Sequence, residues 1–161
     1  MRRGRRTRRC GGRADAGTIF ECTPQGKYKV LYQFHGYDGE YPLVTLTQHT
    51  NGLLYGDTEQ GGVVSNYCHQ TCGVFFSLNV GLQPFVSLVP WASRPGTNVG
   101  ILGQGFSGTT SVLFHGRPAS FRIVSDTFIT ATVPHKAKTG FVSVTTPVGT
   151  LKSNRQFQVI R

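Results

Sequence analysis

Acidic residues are scarce in this sequence. Only 7 Asp and Glu residues stand against 17 Lys and Arg residues in a chain of 161, which gives a formal charge of +10. Charged residues of both signs make up 15% of the chain, and no apolar run approaches the roughly 20 residues that a membrane-spanning helix needs. These shortages exclude a coiled coil, a protein with a membrane-spanning helix and a wholly disordered chain.

The common catalytic motifs are also missing. The sequence contains no G-x-S-x-G elbow, no H-E-x-x-H helix and no P-loop. Residues 103–108 satisfy G-x-G-x-x-G, but a β-branched segment follows where a dinucleotide site needs a helix, so we interpret the run as a turn. Asp38 and Glu40 flank a glycine near His35, and we interpret them as a solvated turn, with weak cation binding or acid–base chemistry as the alternative. We therefore expect no enzyme, no cofactor and no metal.

Positive charge is concentrated at the start of the chain. Seven of the arginines lie within the first thirteen residues, and we interpret residues 1–14 as a disordered tail. The alternative is an arm that neutralises nucleic-acid phosphates, formed by Arg2, Arg3, Arg5, Arg6, Arg8 and Arg9. No apolar stretch follows these arginines, so an exported parent protein would carry its signal segment outside this sequence.

Short strands and turns are predicted from residue 15 to residue 82. Four strands, at 17–22, 28–34, 43–47 and 53–56, are expected to form one antiparallel sheet, and a fifth is expected at 73–79. Alternation in the second strand places Tyr28, Val30, Tyr32 and Phe34 on one face.

The opening of the first strand returns 56 residues later, which is close to the period of a propeller blade. Residues 10–80 resemble the GloVer-type tandem repeats of bacterial exported proteins. The matching positions are G-T-I-F at 17–20, L-Y-Q-F at 31–34, Asp38-Gly39, Pro42, G-L-L-Y-G-D at 52–57 and Gly61-Gly62. The resemblance implies a partial propeller-like antiparallel repeat at 15–82, in a fragment of a longer repeat protein whose missing repeats would be its partners.

Residues 85–161 have the pattern of an immunoglobulin-like β-sandwich. Strands are predicted at 98–102, 110–114, 119–124, 128–133, 140–146 and 156–160, with 85–89 as a candidate seventh. We expect Asp126, between two of them, to cap a turn through its own backbone.

This half of the chain resembles the IPT/TIG domain family. The resemblance is carried by PGTNVGILG at 95–103, GF at 105–106, TSVLFHG at 110–116, PASF at 118–121, SDTFITATVP at 125–134, Gly140, VSV at 142–144, TPVGT at 146–150 and FQV at 157–159. His115 stands where the family usually has Asn. The resemblance implies an all-β protein with an Ig-like sandwich as its C-terminal domain.

The four cysteines are Cys10, Cys22, Cys68 and Cys72. Cys68 and Cys72 are candidates for a local disulfide, which would imply an oxidising compartment. Free thiols, a metal site that adds His69 and His49, and a Cys10–Cys22 pair remain as alternatives.

Trp91 lies where the two halves of the chain join. We interpret its side chain as buried in the seam between them, since burying so large a ring removes much apolar area from water. The alternative is a binding residue that stacks on a sugar ring.

Together these features predict a non-catalytic binding or structural module of a bacterial secreted or cell-surface protein. Its expected ligand is a protein or a glycan. The alternatives are a nucleic-acid-binding protein that uses the arginine arm and the sandwich loops, and a glycan-binding accessory module of a carbohydrate-active enzyme.

Overall fold

The computed structural model describes residues 4–8, 15–66, 68 and 71–161. All regular secondary structure in these residues is β-strand, which confirms the predicted all-β class. The chain divides into two compact units, the first within residues 1–49 and 53–80 and the second at 50–52 and 81–161. Across the described part of the chain, no helix is long and apolar enough to cross a bilayer.

The first unit contains two three-stranded antiparallel sheets. One sheet consists of β1 (Gly4–Arg8), β2 (Thr18–Cys22) and β3 (Tyr28–Gln33), and the other of β4 (Thr47–Gln48), β5 (Leu54–Asp57) and β6 (Phe75–Leu78). The prediction of one sheet is wrong because β5 pairs with β4 and β6 and not with β2 or β3. Most of the predicted strand 43–47 is also not a strand. The side chains of Val44 and Leu46 lie over Gly56 of β5, so this segment packs on the sheet and only its last residue enters the ladder.

Strand β1 lies within the segment interpreted as a disordered tail. It pairs antiparallel with β2, from Gly4 opposite Cys22 to Arg8 opposite Thr18. Without β1, the edge of β2 facing away from β3 would present unpaired backbone N–H and C=O groups, which are strongly driven to find partners. The rest of the predicted tail, 1–3 and 9–14, lies outside the described residues.

A β-bulge divides the face predicted for β3. Ile19 lies opposite Tyr32, while Phe20 lies opposite Val30, so Leu31 is an additional residue in β3. Tyr28 and Val30 consequently share the face of Phe20, on which Tyr28 is 53% exposed. Phe34, in contrast, is buried in a small core with Ala16 and Ile19. The prediction that the four alternating residues share one face is therefore wrong.

The second unit is built from ten strands. They are β7 (Phe85–Val89), β8 (Ala92–Ser93), β9 (Asn98–Leu102), β10 (Ser111–Phe114), β11 (Arg117–Pro118), β12 (Phe121–Ser125), β13 (Phe128–Thr132), β14 (Val142–Thr146), β15 (Gly149–Ser153) and β16 (Gln158–Val159). Eight of them form one ladder in the order β11-β10-β14-β15-β7-β9-β13-β12, and β16 pairs with β8. The sequence did not predict β8, β11 or β15, which are short or largely polar.

Strand β7 joins the two layers of the sandwich. Its first residues, Phe85 and Val86, pair parallel with β15, and Ser87 to Val89 pair antiparallel with β9. The eight-stranded sheet therefore curls around one core, as the predicted Ig-like sandwich requires. The core draws buried side chains from both layers, namely Val86, Leu88, Val99, Ile101, Phe106, Val112, Phe114, Ile129, Ala131, Val133, Val142, Val144 and Phe157.

Candidate functional site

An open pocket of about 130 Å³ lies in the first unit. Strands β2, β3 and β6 and the loop after β3 contribute its walls, which are mostly apolar. The lining side chains are Ile19, Tyr32, Phe34, Asp38, Phe76, Ser77 and Leu78. The bulge in β3 places Tyr32 on the side of Ile19 and thus brings its phenol into the pocket.

The Asp38 carboxylate is held by the loop that carries it. Tyr32 Oη donates a hydrogen bond of 2.6 Å to Asp38 Oδ2, and the backbone N–H of His35 donates one of 2.7 Å to Oδ1. His35 Nδ1 lies 3.3 Å from Oδ2. Gly36 and Gly39 exchange backbone hydrogen bonds and close the loop. The carboxylate therefore has a defined position at the pocket wall.

These contacts change the acidity of both side chains. Partial burial alone would raise the pKa of Asp38, but the hydrogen bonds from Tyr32 and from the His35 amide outweigh it, and the pKa is lowered. The hydrogen bond to Asp38, with a smaller contribution from burial, raises the pKa of Tyr32 to about 12. At neutral pH the pair is an aspartate anion and a protonated phenol.

Aromatic rings form part of the pocket wall. The Phe34 ring meets the Tyr32 ring edge-to-face at a centroid distance of 5.1 Å, and it meets the Phe76 ring in the same manner at 5.3 Å. Outside the lining, the His35 ring stacks on Tyr37 at 5.9 Å. The loop thus places the Asp38 carboxylate in a pocket that is also lined by Tyr32, Phe34 and Phe76.

The predicted acidic pair is separated. Asp38 lines the pocket, whereas Glu40 does not, and the Glu40 backbone pairs with that of Gln60. Tyr32 and Phe76 were not predicted as pocket residues; the alternation of β3 placed Tyr32 only on a common face with Tyr28, Val30 and Phe34. The short loop between β3 and Asp38 was a sequence signal for Tyr32, because so few residues keep the Asp38 side chain close to the end of the strand.

The structure joins Cys68 and Cys72 by a disulfide whose Cα atoms are 5.3 Å apart. Cys22 is a free thiol that donates to the Thr23 carbonyl at 3.5 Å. Cys10 and His69 lie outside the described residues, and the ring of His49 contacts that of Tyr55. No group of three or more His, Cys, Asp or Glu side chains within the described ranges is arranged to hold a metal ion.

The ring of Trp91 makes a cation–π contact. The Arg155 guanidinium lies 5.2 Å from the ring centroid, and the Trp91 side chain is 43% exposed. A sugar would therefore share this ring with Arg155. Of the six arginines proposed for a nucleic-acid arm, Arg5, Arg6 and Arg8 lie in β1, whereas Arg2, Arg3 and Arg9 fall outside the described residues.

The G-x-G-x-x-G run is a loop between β9 and β10, as predicted. The Asp126 carboxylate accepts hydrogen bonds from the backbone N–H groups of Gly105 at 3.2 Å and Ser107 at 3.1 Å. The Asp126 carbonyl also accepts one from Phe106. The expectation that Asp126 caps a turn through its own backbone is corrected, because its carboxylate holds a loop about twenty residues away. Hydrogen bonds from the Ser107 backbone, followed by its side chain, lower the pKa of Asp126.

The model of the IPT/TIG domain family matches residues 85–159. The resemblance of this segment to that family is therefore confirmed, whereas the tandem-repeat resemblance of residues 10–80 stays a prediction. No curated protein matches the chain.

Three solved structures are similar to this chain. An auxiliary nutrient binding protein from Bacteroides ovatus is 24% identical over 47% of this chain and 20% of its own, with a TM-score of 0.43. The gamma-CGTase of alkalophilic Bacillus clarkii is 21% identical over 96% of this chain and 26% of its own, with a TM-score of 0.44. The extracellular region of plexin A4 is 14% identical over 98% of this chain and 15% of its own, with a TM-score of 0.41. This chain spans about a quarter or less of the length of each of these three proteins.

Proposed function

Because residues 85–159 form an IPT/TIG domain, we propose that this chain is a non-catalytic binding or structural module of a bacterial secreted or cell-surface protein. The observation that carries the proposal is the set of contacts that hold the Asp38 carboxylate. Tyr32 and the backbone and ring of His35 all contact its two carboxylate oxygens. A general base needs a free lone pair aimed at substrate and a pKa near the working pH. Asp38 fails the second requirement, since its pKa is lowered, and three of its about four lone-pair positions are already approached by Tyr32 and His35.

Tyr32 is equally unsuited to acid catalysis. Its pKa of about 12 keeps the phenol protonated at neutral pH, and its proton is already donated to Asp38. The pair therefore supports a fixed anionic binding wall rather than a proton-transfer site.

The Cys68–Cys72 disulfide supports a location outside the cytoplasm. Disulfides persist in oxidising compartments and are rare where thiols are kept reduced. Such a bridge fits a protein that is secreted or displayed at the cell surface.

Apolar exposure in the first unit supports a role within a longer repeat protein. Tyr28 and Val30 are exposed on one strand, and Phe75, Val63 and Val64 are each about three-quarters exposed. Neighbouring exposed apolar side chains, such as Tyr28 and Val30 on one face of β3, are typical of surfaces that another chain segment covers. Missing repeats of the parent protein are the partner we propose for it.

An activity screen tests the proposal. Purified chain is assayed with nitrophenyl glycosides and nitrophenyl esters, and we expect no turnover above buffer. Turnover that disappears in Asp38→Asn or Glu40→Ala would overturn the non-catalytic assignment. A contaminating enzyme is identified by turnover that both variants retain.

Nucleic-acid binding is a second candidate, and β1 favours it. Pairing with β2 holds Arg5, Arg6 and Arg8 at the fixed spacing of a strand. Arginines that neutralise phosphates release counterions, so the affinity would fall steeply with salt. DNA affinity that is salt-dependent and survives deletion of residues 1–13 would instead assign binding to the sandwich loops.

A further inference from the structure

The pocket of the first unit is too small for a whole metabolite. Sites for drug-sized ligands have volumes of about 300–1,000 Å³, whereas an apolar cavity of about 150 Å³ holds a benzene molecule. At about 130 Å³, the pocket fits one compact chemical group. A complete sugar ring with its hydroxyls, or a nucleotide, would lie mostly outside it.

The charge on the pocket wall favours a positively charged group. Asp38 is the one lining residue whose side chain is charged at neutral pH, and the other lining residues are apolar, phenolic or hydroxylic. A carboxylate beside apolar walls is screened less than one in open water, so it attracts a cation more strongly.

The hydrogen bonds of Asp38 select the kind of cation. A carboxylate offers about four lone-pair positions, and Tyr32 and His35 together approach three of them. A guanidinium needs two free positions for its paired N–H donors. An alkylated ammonium needs none, because it is attracted by charge alone.

The aromatic wall provides the remaining attraction. The rings of Tyr32 and Phe76 line the pocket and are partly exposed, whereas the Phe34 ring is buried and packs edge-to-face against both of them. Ring faces attract cations, and alkylated ammonium groups are the ligands that sets of aromatic rings recognise best.

We propose that the pocket formed by Asp38, Tyr32, Phe34 and Phe76 binds an alkylated ammonium group of about the size of trimethylammonium. The inference rests on the proposed binding role of the same pocket. A free quaternary amine and a methylated lysine of a protein both carry this group.

The test compares choline with its neutral isostere, 3,3-dimethylbutan-1-ol, on the wild-type chain. Calorimetric titration at pH 8 measures both affinities. We expect millimolar binding of choline and about tenfold weaker binding of the isostere, since shape is matched and only the charge is lost. Equal affinities, or no choline binding at 100 mM, would overturn the proposal. A peptide with trimethyl-lysine is the second ligand, and tighter binding than choline assigns the group to a protein source.

Variants locate the site. Asp38→Asn should weaken choline binding about tenfold, and Asp57→Asn, an exposed acid of the same unit outside the pocket, should leave it unchanged. Equal weakening in both variants would also sink the assignment. If choline binding does not behave as expected and the nitrophenyl assays show no turnover, the proposed ligand is wrong but the non-catalytic role stands. If the wild-type chain turns over a nitrophenyl substrate and Asp38→Asn does not, the non-catalytic role itself is wrong.

Discussion

Gly103 leaves the space that the ring of Phe106 occupies. A Cβ atom added at Gly103 would overlap the Cζ and Cε1 atoms of that ring and would also crowd Val86. Phe106 is fully buried in the core of the sandwich. The first glycine of the G-x-G-x-x-G run therefore serves packing, where a dinucleotide site would use it for the tight turn that follows the strand.

We expect Gly103→Ala to destabilise the second unit by about 1–3 kcal/mol, the usual cost of overfilling a packed core. Urea unfolding followed by the fluorescence of Trp91, the single tryptophan, measures the change. Gly105→Ala is the matched control. Its φ is +69° and an added Cβ would only touch Val148 at 3.9 Å, so it tests backbone strain of about 1–2 kcal/mol without a clash. A smaller loss for Gly103→Ala than for Gly105→Ala would refute the packing argument.

Asp126 makes the same loop sensitive to acid. Its folded-state pKa is lowered, so its contribution to stability is complete above the pKa of the unfolded chain and disappears as pH falls through the folded pKa. Wild-type chain should lose loop stability on acidification from pH 5 toward pH 2, measured by amide exchange of Gly105 and Ser107. In Asp126→Asn the two amides should exchange faster at pH 6 and show less additional loss in acid. Identical pH profiles for the two proteins would contradict this.

The sandwich could be predicted from sequence because its strands alternate cleanly. The predicted bounds of β7 and β9 match the structure, and inward positions such as Val99 and Ile101 are buried. Contacts between distant segments were not predictable in this way. The local pattern around Asp126 does not show that its carboxylate holds Gly105 and Ser107, since that contact depends on how two loops meet in the folded unit. The space at Gly103 is filled by the nearby Phe106, but it also borders Val86 of β7, which the local pattern does not show.

The pocket could not be predicted from the sequence for a related reason. The additional residue Leu31 changes the face on which Tyr32 lies, and a period-2 pattern carries no mark of where a bulge occurs. Asp38 was singled out, but as a solvated turn. Its partnership with Tyr32 follows from the bulge and the tight loop together.

Asp38→Asn should return the pKa of Tyr32 from about 12 toward its ordinary value of 10.0. The hydrogen bond to the carboxylate is the largest cause of the shift, and an amide oxygen without charge stabilises the phenol proton much less. Carbon NMR of the tyrosine ring, titrated with alkali, resolves the individual residues. Glu40→Gln is the control and should leave Tyr32 unchanged. A pKa near 12 in Asp38→Asn would show that burial is the cause instead.

Arg155→Ala should alter the fluorescence of Trp91. Removal of the guanidinium from the ring increases its contact with water, so emission shifts to longer wavelength and acrylamide quenching rises. Arg122→Ala, on the exposed strand β12, is the control. An unchanged spectrum in Arg155→Ala would mean that the cation does not rest on the ring. Glycan binding abolished by Trp91→Ala would favour the accessory-module alternative.

Reduction should weaken the first unit and leave the second intact. The Cys68–Cys72 bridge closes a very short loop, for which the chain-entropy model gives about 2 kcal/mol of stabilisation. The amide of Gly73 reports on this region, because it donates to the Gly61 carbonyl at 3.1 Å. Its exchange should accelerate in dithiothreitol and equally in Cys68→Ser. Cys22→Ser, which removes the free thiol, should not change it. If reductant has no effect on wild-type chain, the bridge contributes nothing to the stability of this region.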